Sequence, residues 1–475
     1  MNMKNKVSTL KANIFYNILY QLLVIIVPLI TAPYISRVIG KEGMGIYGYT
    51  FSIAHYFVVF IMLGILNYGN REISAVKQNE RFKTDVFWNI YAIQFFMGVF
   101  LLSAYFLFVM YLCSNYRMVF FSQAIYILSG ILDISWFYFG IEKFKLTAGI
   151  SSLNKILTTV CIFLFVRNPN DIAVYTLIIS LGALANNILY WLLLKNYIKG
   201  FSLKFDTVSS HVKPVLILFL PVIAINIYRY ISKVMLGSMS GVSEVGIYDA
   251  AEKFVNLPLG VIAAIGTVML SRITSLHSSV DSINQIKKYN RISMAFVMIV
   301  GIGVVFGLAG ISNVFIPFFY GNEFTSSSNV LLLLLPSILF ICWANVIRTQ
   351  YLLPNRKDKY YCLSVVWGAI VNVILNILLI PRLGAIGAAI ATTFAEMSVC
   401  LLQSWYARKN MNLIKYLSDI APYGLFGILM YIIVINVSAS TSFLTILFRL
   451  FSGFIFYTLL GGCLLKRKWV LLNQG

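Results

Sequence analysis

Charged side chains are scarce in this 475-residue chain, 11% of the whole, and acids are scarcer still, 16 Asp and Glu against 37 Lys and Arg. A water-soluble domain carries about 25% charged residues, so a soluble globular protein of this length is excluded. Also missing are a glycine-rich phosphate loop ending in Lys-Ser/Thr, a Gly-x-Ser-x-Gly elbow and a His-Glu-x-x-His pair. Without them the chain has no ATPase machinery of the phosphate-loop kind and no evident nucleophile with its base, and no enzyme constellation emerges. Cys113, Cys161, Cys342, Cys362, Cys400 and Cys463 lie in or beside apolar segments without paired spacing. They read as small hydrophobes, not as zinc or redox ligands. No cofactor or metal is expected.

What is present is apolar length. Hydrophobic residues make up 60% of the chain and mean hydropathy is +0.84. A spanning helix needs about 20 mostly apolar residues, and fourteen candidates occur: 13–36, 46–69, 86–112, 118–140, 148–166, 172–194, 214–240, 245–270, 292–317, 328–353, 361–380, 384–406, 416–436 and 442–465. These runs are too long and too uniformly apolar for a membrane β-barrel, so an all-α integral membrane protein is expected. The net charge of +21 is then a topology signal. With the amino terminus inside, 26 cations fall on that side and only Arg37, Lys41, Arg117, Arg167 and Arg382 in the opposite loops. The bias places both termini in the cytoplasm and removes nucleic acid as a partner. None of the outward loops exceeds about a dozen residues; membrane polymerases and ligases generally carry a larger one.

The chain also echoes itself. Tyr34-Ile35-Ser36-Arg37-Val38 returns 196 residues later as Tyr230-Ile231-Ser232-Lys233-Val234, and Gly45-Ile46-Tyr47 returns as Gly246-Ile247-Tyr248. An even number of spans separates the copies, which predicts parallel repeats: a first lobe over 1–200, a second over 201–410 and an appended hairpin over 411–475. Pro28, Pro33, Pro221, Pro258 and Pro336 interrupt predicted spans, as suits a bundle that rocks or lines a cavity, and as membrane helices commonly tolerate.

Six cations, Lys155, Arg229, Lys233, Lys253, Arg348 and Arg449, fall inside predicted spans, against four acids, Asp133, Asp249, Glu252 and Glu396. Each cation costs roughly 2.5–3.5 kcal/mol at a helix centre, so pairing, hydration or a ligand is required. Asp133 and Lys155 sit at matching depth on consecutive spans and are expected to pair. Lys233 and Glu252 match similarly, and Asp249 and Lys253 can pair as i, i+4. Arg229 is left over, about 16 Å deep by the helical rise, sharing a face with Asn226. Its planar fork suits phosphate, with a distant acid such as Glu396 as the competing partner. Arg37 and Arg348 can snorkel. Lone His55 is expected to be packed or hydrogen-bonded, and Arg449 to be structural. Tyr47, Tyr49 and Tyr248 fit an interfacial belt first, with sugar stacking as the second reading.

Three stretches resemble one known family: PLITAPYISRVIGKEGMGIYGY ending at Tyr49, NYGNRE at Asn67 to Glu72, and SKVMLGSMSGVSEVGIYDAAEKF at Ser232 to Phe254. They look like the polysaccharide repeat-unit flippases of the multidrug/oligosaccharidyl-lipid/polysaccharide exporter superfamily, and the likeness runs through the whole chain. The resemblance implies two six-helix lobes in a V shape plus a C-terminal hairpin, in a bacterial cytoplasmic membrane. It implies flipping of undecaprenyl-pyrophosphate-linked oligosaccharides by alternating access, for capsule, O-antigen or exopolysaccharide. Membrane lipid, other glycan-assembly membrane proteins and a monomeric bundle follow as partner expectations. Arg229, Lys233, Lys253, Arg37, Arg348 and Asn226 would hold pyrophosphate and sugar; Asp249, Glu252, Asp133, Lys155 and Glu396 would couple ions or pair. In relatives an acid often precedes the helix-7 cation, whereas here Ser232 does. A lipid II flippase or a cation-coupled drug antiporter are the alternatives within the superfamily; the excess of embedded cations over acids speaks against a site for cationic drugs.

Overall fold

The computed structural model describes residues 3–111, 113, 115–276 and 282–473, and within some helices the backbone alone. The side chains of Cys463, Pro221 and the terminal lysines at 4, 6, 11, 466 and 468 lie outside the described ones. All regular structure among the described residues is helical. In chain order the helices are α1 (Met3–Met62), α2 (Ile65–Val76), α3 (Glu80–Tyr111), α4 (Arg117–Ile131), α5 (Ser135–Gly140), α6 (Phe144–Phe165) and α7 (Ile172–Leu194). Then follow α8 (Phe205–Met239), α9 (Val242–Leu276), α10 (Ser282–Tyr320), α11 (Ser326–Ile347), α12 (Asp358–Ala407), α13 (Leu413–Asn436) and α14 (Ser442–Asn473).

Every predicted span falls on a helix, but two neighbouring pairs run together. At 1.5 Å per residue, the 60 residues of α1 and the 50 of α12 are each about two bilayers long. Each turns on one glycine, Gly40 at φ 67° and Gly384 at φ 54°. A side chain in that left-handed region costs about 1–2 kcal/mol, and glycine avoids it. Eleven helical stretches among the described residues are long and apolar enough to cross a membrane. Their surfaces are correspondingly apolar: Phe100 is 67% exposed and Phe454 71%, as expected where hydrocarbon is the solvent.

The chain forms two compact units, Met1–Gly237 and Ser238–Gly475. In the first, α4 packs on α1 and α7, α1 on α6, and α2 on α5. Phe87, Trp136, Phe137 and Tyr138 are fully buried at its centre. Helix α8, which the sequence places at the start of the second lobe, packs through residue 237 with the first unit: Gly64 lies against Val215 and Leu218, and Gly237 against the Tyr49 ring. In the second unit α11 packs on α9, α10 and α12, while α13 and α14 pack on α10. Buried Arg449 ties this hairpin down, donating to the Val437, Ile435 and Gly310 carbonyls and to Asn313 Oδ1 at 2.8–3.0 Å. That is the structural role expected of it.

Two predicted spans differ from expectation. The second ends at Met62, where Leu63 adopts φ 46°, and residues 65–76 form the separate helix α2. The fourth, expected to be continuous over 118–140, breaks at Leu132–Ile134 into α4 and α5. Broken backbone within a membrane persists only if each freed carbonyl finds a donor. Here buried Gln94 donates from Nε2 to the Gly130, Ile131 and Asp133 carbonyls at 2.9–3.1 Å. Trp191 Nε1 reaches the Leu132 carbonyl at 3.0 Å, and Asn187 Nδ2 the Ser129 carbonyl at 2.7 Å. These donors come from α3 and α7, so hydropathy along the fourth span could not reveal the break.

Candidate substrate-binding face

After the turn at Gly40, α1 places Tyr47, Phe51 and His55 at i, i+4 and i+8, one above another on a single helix face. The rings stack in sequence: Tyr47 on Phe51 at 5.5 Å between centroids, and Phe51 on His55 at 5.6 Å. Tyr126 of α4 joins Phe51 at 5.1 Å, and Tyr230 of α8 lies 4.4 Å from His55. All five are half-buried, so each keeps part of its surface accessible. Such partly exposed aromatic faces suit the apolar faces of sugar rings as well as one another.

His55 is hydrogen-bonded at both nitrogens, as expected for a lone histidine in a span. Nδ1 lies 3.0 Å from the Tyr126 hydroxyl and Nε2 3.3 Å from Asn226 Oδ1. Asn226 donates its amide to the Val222 carbonyl at 2.8 Å, which leaves its oxygen as acceptor. The pattern is therefore satisfied by an imidazole with its proton on Nε2 and Tyr126 donating to Nδ1. With Tyr56 donating to the Ile227 carbonyl at 3.0 Å, this network clamps α8 to α1. Asn226, a candidate ligand in the sequence, is already committed at both ends of its amide.

Arg229 lies one turn beyond Asn226 on α8 and is exposed. It forms no hydrogen bond or ion pair with any described residue, and its charge reaches His55 electrostatically. One guanidinium thus stands beside a ladder of aromatic rings. Lys233, one further turn along, is buried. Arg37, on the first part of α1, is exposed and donates from Nη1 to the Pro33 carbonyl at 2.8 Å.

The second unit gathers the other candidates in a different way. Lys253 pairs with Asp249 at 2.8 Å as the i, i+4 spacing predicts, and Glu252 is half-buried beside them. Arg348 opens a five-residue π-helical turn, Arg348–Leu352, and holds its guanidinium 5.6 Å over the Tyr361 ring. Glu396 is half-buried on α12. Tyr248, expected at the interface, is buried and bonds the Thr392 hydroxyl at 3.0 Å.

The expected pair of Asp133 and Lys155 is not formed. The α4–α5 break turns the Asp133 carboxylate onto its own chain, where Oδ1 accepts from the Ser135 amide at 2.9 Å. Lys155 is half-buried on α6 with no ion-pair partner among the described residues. Sequence reasoning also missed the ladder as a unit. Its signal was available in the four-residue spacing of Tyr47, Phe51 and His55, which an interfacial-belt reading of single tyrosines passes over.

Residues 10–277 match the family described as "Polysaccharide biosynthesis protein". A candidate O-antigen transporter of Escherichia coli (strain K12) is 24% identical over 418 residues, covering 86% of this chain and 99% of the relative. A second such candidate, from Shigella dysenteriae, is 24% identical over 387 residues, covering 79% and 94%. Among solved structures, a lipid II flippase, MurJ, in an inward closed conformation superposes with a TM-score of 0.79 at 15% identity, covering 95% of this chain and 99% of that one. An inward-facing multidrug resistance transporter of the MATE family gives 0.54 at 13% identity over 82% of this chain and 99% of that one. At such identities the two likenesses show a shared helical fold.

Proposed function

Because the chain belongs to the polysaccharide biosynthesis protein family, we propose that it translocates lipid-linked oligosaccharide units across the membrane for surface-glycan assembly. The cargo would be a polyprenyl-pyrophosphate carrying a glycan repeat unit, taken up from the cytoplasmic leaflet and released outside by alternating access. The observation that carries this reading is Arg229, a guanidinium with no hydrogen-bonded partner among the described residues, next to the Tyr47–Phe51–His55 ladder. A planar fork of donors suits pyrophosphate and aromatic faces suit sugar, so the two halves of the cargo headgroup have matching chemistry on one helix pair. The lipid tail would stay in the bilayer. Lys233 and Arg37 are secondary anion contacts on this reading, and both chain ends face the cytoplasm, as the 26 to 5 distribution of cations favours.

The test is deletion of the protein followed by complementation. Loss of surface glycan with the lipid-linked unit retained on the cytoplasmic side is expected, restored by the wild type and not by Arg229→Ala at equal membrane abundance. Full surface glycan in a strain relying on Arg229→Ala would overturn the role of that residue. Unchanged glycan in the deletion strain would overturn the proposed cargo.

A further inference from the structure

The two ends of α12 meet. Gly384 turns the helix midway, and Tyr360 in its first turn lies 4.5 Å from Tyr406 in its last. The segment before α12 is tied in as well, since the buried Tyr351 hydroxyl donates to Asn410 Oδ1 at 2.9 Å and accepts from Lys357 Nζ at 2.6 Å. Six cations are thereby gathered on one edge of the second unit: Arg356, Lys357 and Lys359 around the start of α12, and Arg408, Lys409 and Lys415 between its end and the first turn of α13. Asp358 is the one acid within these two stretches. We propose that this edge binds the headgroup of an anionic phospholipid, whose acyl chains lie against the exposed apolar side chains beside it.

Three observations carry the inference. First, the charge is uncompensated: none of the six cations forms an ion pair with a described residue. In the first unit, by contrast, Arg71, Lys77, Lys83 and Lys204 each hold an acid, Glu72, Glu142, Glu80 and Asp85, at 2.6–3.2 Å. An inside bias of charge requires cations on one side of the membrane; it does not require them to stand together without acids. Second, large apolar side chains are exposed next to the charge, Trp405 at 61%, Leu417 at 57% and Ile414 at 80%, and the Arg408 guanidinium lies over the Trp405 ring at 3.0 Å. Cations beside an exposed aromatic ring at helix ends are the arrangement of a membrane–water interface. A free phosphate or an acidic peptide would use the cations alone, whereas a lipid uses both surfaces. Third, the edge is built before anything binds. Arg356 takes the left-handed φ of 54° that a side chain seldom adopts, and its amide and that of Lys357 donate to the Leu353 and Leu352 carbonyls at 3.0 and 2.8 Å. Backbone already fixed loses little freedom on binding.

The charge also selects among lipids. A phosphate diester with an uncharged headgroup alcohol keeps its full negative charge, and the fork of Arg356 or Arg408 matches two of its oxygens. A zwitterionic headgroup brings its own cation into a cluster that already holds six. Clusters of four to eight basic residues at a membrane surface attract anionic lipid in this way, over a range limited by salt screening. The ligand is a resident lipid of the bilayer, so the inference does not rest on the identity of the transported cargo.

The test reads tryptophan fluorescence of the purified full-length protein in detergent micelles doped with phosphatidylglycerol or phosphatidylcholine, each brominated on an acyl chain so that it quenches the indoles it touches. In the wild type, quenching should saturate at a several-fold lower mole fraction of phosphatidylglycerol than of phosphatidylcholine, and the difference should shrink as NaCl is added. Trp405→Phe should remove the part of the signal that depends on the headgroup. Arg356→Gln, Lys359→Gln, Arg408→Gln and Lys409→Gln together should raise the half-saturating fraction of phosphatidylglycerol roughly tenfold; all four side chains are exposed, so no packing is lost with them. A charge-matched set in the first unit, Arg71→Gln, Lys77→Gln, Lys195→Gln and Lys199→Gln, should shift it by less than about twofold. Equal quenching by the two lipids in the wild type, a comparison that needs no variant, would overturn the site. So would an equal loss from the charge-matched set, or displacement of phosphatidylglycerol by inorganic phosphate at constant ionic strength, which would assign the cluster to free phosphate. No glycan enters the experiment, so its failure leaves the proposed transport function untouched.

Discussion

The corners at Gly40 and Gly241 are built alike and lead into different chemistry. Both glycines adopt left-handed φ values, 67° and 99°, and both stand five residues before a Gly-Ile-Tyr. A left-handed glycine thus stands between two apolar helical runs in both echoes. Beyond it, the first copy continues into Tyr47, Phe51 and His55, while the positions matching them in the second are Tyr248, Glu252 and Asn256. In the first the tyrosine stacks on a neighbouring ring; in the second it is buried against Thr392, and an Asp249–Lys253 pair occupies the same turn. The two echoes share the turn glycine and differ in the faces that follow it.

That asymmetry can be tested in order of expected effect. Phe51→Leu keeps apolar volume but removes the central ring of the ladder; aromatic contacts are worth roughly 0.5–1.5 kcal/mol beyond area, so surface-glycan export should fall several-fold. The double change Asp249→Asn, Lys253→Gln removes both charges of the pair together, and its effect on export should be smaller than twofold. Equal losses from the two variants would erase the functional difference between the halves. Next come Gly40→Ala and Gly241→Ala. Each should lower stability by about 1 kcal/mol through backbone strain, read as similar drops in melting temperature. A large drop at one corner and none at the other would break the structural equivalence.

The smallest effect concerns the first unit. His211, at the start of α8 outside the spans, is buried with Nδ1 2.6 Å from the Tyr68 hydroxyl. Burial holds its pKa below the ordinary histidine value, against a smaller opposite pull from Glu72. A depressed folded-state pKa means that its neutral form stabilises the fold above the unfolded value, about 6.5, and that stability is lost as pH falls through that region. Melting temperature should therefore decline from pH 7.5 to 5.5, and less so in His211→Asn.

Much of this was legible in the sequence because hydropathy and cation placement are properties of contiguous segments. All predicted spans fall on helices, the Asp249–Lys253 pair follows from a spacing of four, and His55 is hydrogen-bonded as a solitary membrane histidine should be. The failures share one cause. Asp133 was matched to Lys155 by depth along ideal helices, but the helix carrying Asp133 is interrupted, and what permits the interruption is Gln94, 39 residues away in sequence. Asn226 is a candidate ligand by its helix face, and its contact with His55, 171 residues earlier, is one that the sequence does not show. Pairing by depth assumes unbroken helices and side chains without remote claims on them.

The hydrogen bonds of Arg449 bear on how the chain is made. Its guanidinium supplies donors to the Ile435 and Val437 carbonyls at the end of α13, yet it belongs to α14, which is synthesised after α13. Until α14 is inserted, the Ile435 and Val437 carbonyls at the end of α13 lack the donors that Arg449 supplies. A chain terminated before residue 442 should accordingly be cleared during biogenesis, so that one side chain of α14 serves as a check that the span following α13 is in place.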